Sequence, residues 1–181
     1  LLTPSGWTHP DAIGGTEYLA HIHKKTTGDA PHLDLDEEVA VQEAMKSLIR
    51  EGVVEHAHDV SDGGLAVCLA ESALHGGLGA DLTLPDASSA RLDAVLFGEA
   101  QSRIVYSVAP DAVDTTQAHL EKHPAVRGHR LGTVTDGPFR VTINGEIMVE
   151  TSVDRLGGAY YQAIPNAMKA AERAKNDDLS M

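Results

Sequence analysis

The run His58-Asp59-Val60-Ser61-Asp62-Gly63-Gly64-Leu65-Ala66 gathers two carboxylates and a hydroxyl just ahead of two glycines and an apolar stretch. That order reads as a strand end, a sharp acidic turn and a helix start. A helix N-terminus presents unpaired backbone N–H groups and a partial positive charge, both suited to a phosphate or another anion. The carboxylates suit Mg²⁺, a hard cation that takes oxygen ligands and often bridges to substrate phosphates. A second reading stays open: Asp and Ser at a helix entrance also serve as N-caps that satisfy backbone donors.

The run Glu99-Ala100-Gln101-Ser102-Arg103 supplies a carboxylate, an amide and a guanidinium ahead of a strand. Such groups can hold a ribose or an amide through directional hydrogen bonds, or can cap backbone groups at the strand entrance. The chain has ten histidines, with His21/His23, His56/His58 and His129 the obvious metal candidates. An i,i+2 pair such as His56/His58 shares one strand face, but no zinc pattern completes it. His58, beside Asp59, reads as a structural imidazole or one oriented at the site. Gly76-Gly77-Leu78-Gly79 has no following Lys-Ser/Thr and reads as a turn. The acidic group Asp34, Asp36, Glu37 and Glu38 reads as a solvated helix start. The lone Cys68 falls in an apolar run and reads as a small core residue.

These groups need a scaffold, and the patterning predicts one. Residues 1–13 read as a linker with two prolines. Short helical spacing covers 15–23. A strong helix is expected over 36–50, with Asp34 and Glu37 at capping-box spacing and Val41, Ala44, Met45 and Leu48 on its apolar face. Residues 53–60 read as a strand entering the acidic turn. The helix after it, 64–75, is apolar nearly all round and should be buried. A strand over 79–84, a loop over 85–91, a short helix over 92–97 and a strand over 103–108 follow. Residues 111–122 read as a polar helix, and 128–134 as one strand. Asn144-Gly145 between 139–143 and 146–149 is a hairpin signal. A helix over 152–161 closes the domain, and the residues from Pro165 read as frayed or loosely helical. The whole predicts an α/β (α+β) domain: a mixed β-sheet covered by helices.

The 181 residues suffice for one domain with a substantial core. A net charge of −13 without a Lys/Arg cluster argues against sequence-independent binding to nucleic acid or an anionic membrane. One cysteine excludes an intrachain disulfide framework and fits a reducing compartment, so a cytoplasmic location is expected. The start at Leu1, in turn-rich sequence, reads as a piece of a longer polypeptide.

Residues 58–72, HDVSDGGLAVCLAES, closely resemble a stretch of the purine-biosynthetic phosphoribosylformylglycinamidine synthase family, in the last domain of its large synthetase subunit. Three more segments match in order: Gly14-Gly15-Thr16-Glu17-Tyr18-Leu19 is similar to the family's GG(S/T)EYL, residues 96–103 (LFGEAQSR) to its LFGESQSR, and residues 130–134 (RLGTV) to its late (R)IGTV strand. The consensus Ser is Ala100 here, so any role for that hydroxyl is lost.

The resemblance implies the C-terminal-type domain of the aminoimidazole-ribonucleotide-synthetase-like fold, over residues 14–163, with 1–13 joining it to a missing upstream domain and 164–181 a polar tail. It implies an ATP-dependent amidation in which the formamide oxygen of formylglycinamide ribonucleotide is phosphorylated and ammonia displaces the phosphate. ATP and Mg²⁺ are the implied cofactors. The implied partners are upstream ATP-binding domains of the same polypeptide, a glutaminase and a small accessory subunit. Through the family's internal pseudo-symmetry, Asp59, Glu99 and Gln101 align with functional positions, Asp59 with the Mg²⁺ ligand; with Ser61, Asp62, Gly63, Gly64 and Ser102 of the same two loops they make up the candidate nucleotide- or phosphate-binding set. No catalytic residue is expected here, because the family's catalytic histidine lies in earlier domains. The alternatives are another ATP-using enzyme of the fold, such as an aminoimidazole ribonucleotide or selenophosphate synthetase-like protein, or a catalytically silent assembly domain.

Overall fold

The computed structural model describes residues 1–5, 12–54, 56–84 and 91–178, with side chains of the last helix described to residue 172. In chain order the elements are β1 (Leu2–Pro4), α1 (Glu17–His23), α2 (Leu35–Arg50), β2 (His56–Asp59), α3 (Gly64–Gly76), β3 (Gly79–Thr83) and α4 (Leu92–Phe97). There follow β4 (Ile104–Ser107), a 3-10 turn (Pro110–Ala112), α5 (Val113–Leu120), β5 (Val126–Gly128), β6 (Gly132–Thr135), β7 (Phe139–Ile143), β8 (Glu146–Thr151), α6 (Val153–Tyr161) and α7 (Ala163–Asp178).

The described strands form two four-stranded sheets. The first, ordered β2-β4-β1-β5, is antiparallel throughout. The second, ordered β6-β3-β7-β8, is mixed, because β3 and β7 run parallel. The α/β (α+β) class holds, with two sheets in place of one. Among the described residues two apolar clusters fill the interior. In one, Val41, Ala44, Met45 and Leu48 of α2 bury against Leu2, Leu120 and Val126. In the other, Leu65, Cys68, Leu69 and Ala73 of α3 meet Ala80, Leu82, Phe139, Val141 and Ile143 of the second sheet. Strand β4 divides them: Ile104 and Tyr106 pack on the first cluster and Val105 on the second, as the period-two alternation of a strand requires.

Helix α2 forms as its sequence predicts. Asp34 accepts from the N–H of Asp36 at 2.9 Å and of Glu37 at 3.1 Å, and the four expected apolar residues are buried. Helix α1 starts at Glu17 because buried Thr16 caps it, accepting from Leu19 N at 3.3 Å. No residue of α3 before His75 is fully exposed. The Asn144-Gly145 hairpin joins β7 to β8, with both residues left-handed at φ 52° and 83°.

Three expectations need correction. Residues 128–134 are not one strand: the chain leaves the first sheet at Gly128 and enters the second at Gly132, so His129-Arg130-Leu131 is a crossover between sheets. The linker reading fails for Leu2–Pro4, which form a buried inner strand between β4 and β5; residues 6–11 lie outside the described residues. The polar helix over 111–122 begins as a 3-10 turn and is α-helical only from Val113 to Leu120. For the tail, the helical of the two readings holds from Ala163 to Asp178, and residues 179–181 lie outside the described residues. Most of the expected 85–91 loop, residues 85–90, lies outside the described residues.

Candidate functional site

Asp59 ends β2, residues 61–63 turn, and Gly64 opens α3, as the acidic-glycine run predicts. Both glycines are left-handed, at φ 82° and 72°. The side-chain cap of the second reading is absent: neither Asp59, Ser61 nor Asp62 caps α3. Ser61 contributes its carbonyl, which accepts from Gly64 N at 3.0 Å. The Gly63 N–H instead donates to Glu99 Oε1 at 2.8 Å, from a residue 36 positions away.

Glu99 is the hub of the site. The same Oε1 accepts from Glu17 N at 3.0 Å, at the start of α1. The Glu99 N–H donates to Ala12 O at 2.9 Å. One half-buried carboxylate therefore ties together the Gly14–Leu19 segment, the acidic turn and its own loop. A charge-assisted bond of this kind is roughly twice as strong as a neutral one. Nearby, Tyr18 stacks on Phe97 with ring centroids 4.6 Å apart and planes 3° from parallel.

The 98–103 loop lies at the same end of the first sheet as the turn, because Asp59 pairs with Ile104 and Val60 N donates to Arg103 O at 3.0 Å. Arg103 is buried and folds the loop on itself, donating from Nε to Ala100 O at 3.0 Å and from Nη2 to Gly98 O at 2.7 Å. Burial pulls its guanidinium down to about 10, which still leaves a cation at neutral pH. Ser102 donates through Oγ to Glu38 Oε2 of α2.

The implied site residues thus divide. Gly63, Gly64, Glu99 and Ser102 hold the junction together. Asp59, Ser61, Asp62 and Gln101 are exposed on its rim, and among the described residues the side chains of Ser61, Asp62 and Gln101 make no hydrogen bond. Asp59 stands beside His58, Oδ1 3.8 Å from Nδ1, with its side chain 76% exposed. His58 also faces Glu71, Nε2 to Oε2 at 3.4 Å. Among the described residues no three His, Cys, Asp or Glu side chains gather to hold a metal. The turn carries two exposed carboxylates, Asp59 and Asp62, a donor set suited to an ion carried mainly by ligand phosphates and not to an all-protein cage.

Cys68 lies in the core as expected. Burial first, then the negative charges of Asp59 and Glu71, push its thiol up to about 12. Residues 130–134 are not part of the junction; their ladder contacts run to β3. Two features escaped the sequence. Glu38 read as a solvated helix-start acid, and its Ser102 contact spans 64 residues with no local signal. Likewise Ser47 Oγ lies 3.1 Å from Nε2 of buried His119, whose Nδ1 is 2.9 Å from Glu51 Oε2. Ser47 sits within α2, where neighbouring N–H groups are held in the helix and offer no oxyanion donors, so this array clips α5 to α2.

An α/β domain of two sheets, pinned at a glycine turn by a remote carboxylate, is the class that fold and site define. Residues 1–144 match the AIR synthase related protein, C-terminal domain family, and the chain belongs to it. It is 58% identical over 169 residues to the phosphoribosylformylglycinamidine synthase subunit PurL of Salinibacter ruber, covering 93% of this chain and 22% of that protein. Among solved structures it is similar to T. maritima PurL complexed with FGAR, with TM-score 0.65 and 25% identity over 74% of this chain and 23% of that one. The T. maritima PurL complexed with ATP shares the fold, with TM-score 0.62 and 22% identity over 85% of this chain and 27% of that one. The chain spans about a fifth of the length of the curated relatives it matches. Among the described residues no helix is long and apolar enough to cross a membrane.

Proposed function

We propose that this chain is the C-terminal domain of a phosphoribosylformylglycinamidine synthase synthetase subunit, an ATP-dependent carbon–nitrogen ligase of purine biosynthesis in the cytoplasm. Its part is to wall a nucleotide or substrate cleft and to pack against upstream ATP-binding domains. The observation that carries this reading is the exposed rim of Asp59, Ser61, Asp62 and Gln101. These side chains stand on a scaffold held rigidly by Glu99 and Arg103, and the scaffold does not use them. Preorganised polar groups on a rigid mount suit ligand contact.

Asp59 is the residue that would meet Mg²⁺ bridging to a polyphosphate. The ion, when bound, neutralises phosphate charge. Gln101 would orient a ribose or amide by directional hydrogen bonds. As a subunit, the protein would take ammonia from a glutaminase partner, with a small accessory subunit as a further partner.

One observation favours a second reading. Glu99 and Ser102, two of the implied ligand residues, are engaged inside the fold, which suits a silent assembly domain. A phosphate-release assay separates the possibilities. The 181-residue chain alone should not turn over formylglycinamide ribonucleotide with ATP, Mg²⁺ and ammonia, because it offers only part of a cleft. The full subunit should turn over, and Asp59→Ala in it should weaken nucleotide binding. Turnover by the chain alone at the rate of the full subunit would place the chemistry in this domain. Unchanged nucleotide binding in Asp59→Ala would favour assembly.

A further inference from the structure

We propose that Glu38 is a positioning residue for the 98–103 loop, acting through Ser102, whose hydroxyl is a structural donor and not a ligand group. The inference rests on the reading of the Asp59–Gln101 rim as a ligand site.

Ser102 is left-handed, at φ 59°. A side chain with a Cβ holds that conformation only at a cost, and such residues persist where their surroundings over-determine them. Here the surroundings are identifiable. Ser102 Oγ donates to Glu38 Oε2, and Glu38 Oε1 accepts from Gln42 Nε2 at 2.6 Å, so both carboxylate oxygens are held. Glu38 stands in the first turn of α2, its N–H bonded to Asp34 O at 3.0 Å, on a helix already capped by Asp34. The acceptor is therefore mounted rigidly before Ser102 meets it.

The loop is pinned at three places. Glu99 ties it to α1 and α3, Arg103 closes it on Gly98 and Ala100, and Glu38 ties its left-handed corner to α2. Gln101 precedes that corner directly. The backbone at 102 sets how the Glu99–Gln101 segment enters β4, and so where Gln101 stands relative to the Asp59 turn. Without Glu38 the corner keeps its conformational cost and loses its partner.

The test is amide hydrogen exchange on the full polypeptide, read at the N–H groups of Glu17, Gly63 and Glu99, whose partners all lie on or against this loop. Glu38→Ala should speed exchange at these three amides by roughly ten-fold. Glu38→Gln, which keeps an acceptor oxygen, should bring them back to within about two-fold of the native rate. The amides of β7 serve as the control and should not change. Native exchange at the three amides in Glu38→Ala, or acceleration shared equally by β7, would overturn the proposal. Calorimetry with Mg·ADP adds a second readout: Glu38→Ala should raise its dissociation constant several-fold, with rescue by Glu38→Gln. If the native polypeptide does not bind Mg·ADP, the nucleotide reading fails, while the exchange result still decides the role of Glu38.

Discussion

Among the described residues two turns are made from paired left-handed residues, Gly63-Gly64 and Asn144-Gly145, and they do different work. At the hairpin, a Cβ on Gly145 would meet nothing within 4 Å. Glycine is there for its backbone angle alone, as a two-residue hairpin turn with both φ positive demands. At the acidic turn, a Cβ on Gly64 would lie 2.6 Å from Phe97 C and 2.7 Å from Gly98 O. Glycine there meets two demands, the angle and the close passage of the α4–β4 connection over the helix start. The local conformations are alike; the difference comes from what packs on them. A turn that is only a turn tolerates change, and a turn that is also a contact surface does not.

The sharpest way to break this comparison is Gly64→Ala. A left-handed alanine costs about 1–2 kcal/mol by itself, and the backbone collision adds to it. A total loss of about 4 kcal/mol is expected, near the extreme for single substitutions. In a chain of this size that lowers Tm by roughly 10 °C. The same variant should expose Cys68, whose thiol, pushed up to about 12 and buried, should resist iodoacetamide at pH 8 in the native chain. A native rate of alkylation in Gly64→Ala, with unchanged Tm, would show that the close approach carries no energy.

Glu99→Ala should rank second, at about 2–3 kcal/mol, because the Gly63 and Glu17 N–H groups lose their acceptor. Chemical denaturation measures it, and Glu99→Gln, which keeps a carbonyl oxygen, should lose less than half as much. Equal losses in the two variants would mean that charge, and not the acceptor, holds the junction. Gly145→Ala should lose only about 1–2 kcal/mol, the conformational term alone, and leave Cys68 as unreactive as in the native chain. A loss matching that of Gly64→Ala would erase the distinction between the turns. The smallest effect on stability is expected of Asp59→Ala, within about 0.5 kcal/mol, since its exposed side chain holds no element in place. A larger fall would make Asp59 part of the scaffold and remove it from the rim.

Much of the scaffold was legible because its causes are local. Asp34 caps α2 from two and three residues away, and the spacing of Val41, Ala44, Met45 and Leu48 sets the buried face. Asn144-Gly145 specifies its hairpin from within. The helix start at Gly64 was also readable, from glycines followed by an apolar run. The candidate site was legible as a set of segments, with three of the four matched motifs meeting at Glu99 and the fourth pairing with β3. The roles within that set were not legible. Asp59 and Ser61 have the residue types and spacing of caps, yet the Gly63 N–H is satisfied by Glu99. Glu38 has the look of a helix-start acid, yet it holds Ser102.

By itself the sequence determined where most helices begin, which faces they bury, where the chain must turn and which segments carry polar groups suited to chemistry. Each of those follows from backbone sterics and side-chain period over a few residues. Only the tertiary structure decided that Leu2–Pro4 form an inner strand, that the stretch from Gly128 to Gly132 crosses between sheets, and that Glu99 and Ser102 turn inward while Asp59, Asp62 and Gln101 stay on the rim. The physical reason is that a hydrogen-bond donor takes the acceptor that packing brings to it. When that acceptor is tens of residues away, nothing in the donor's own neighbourhood records the choice.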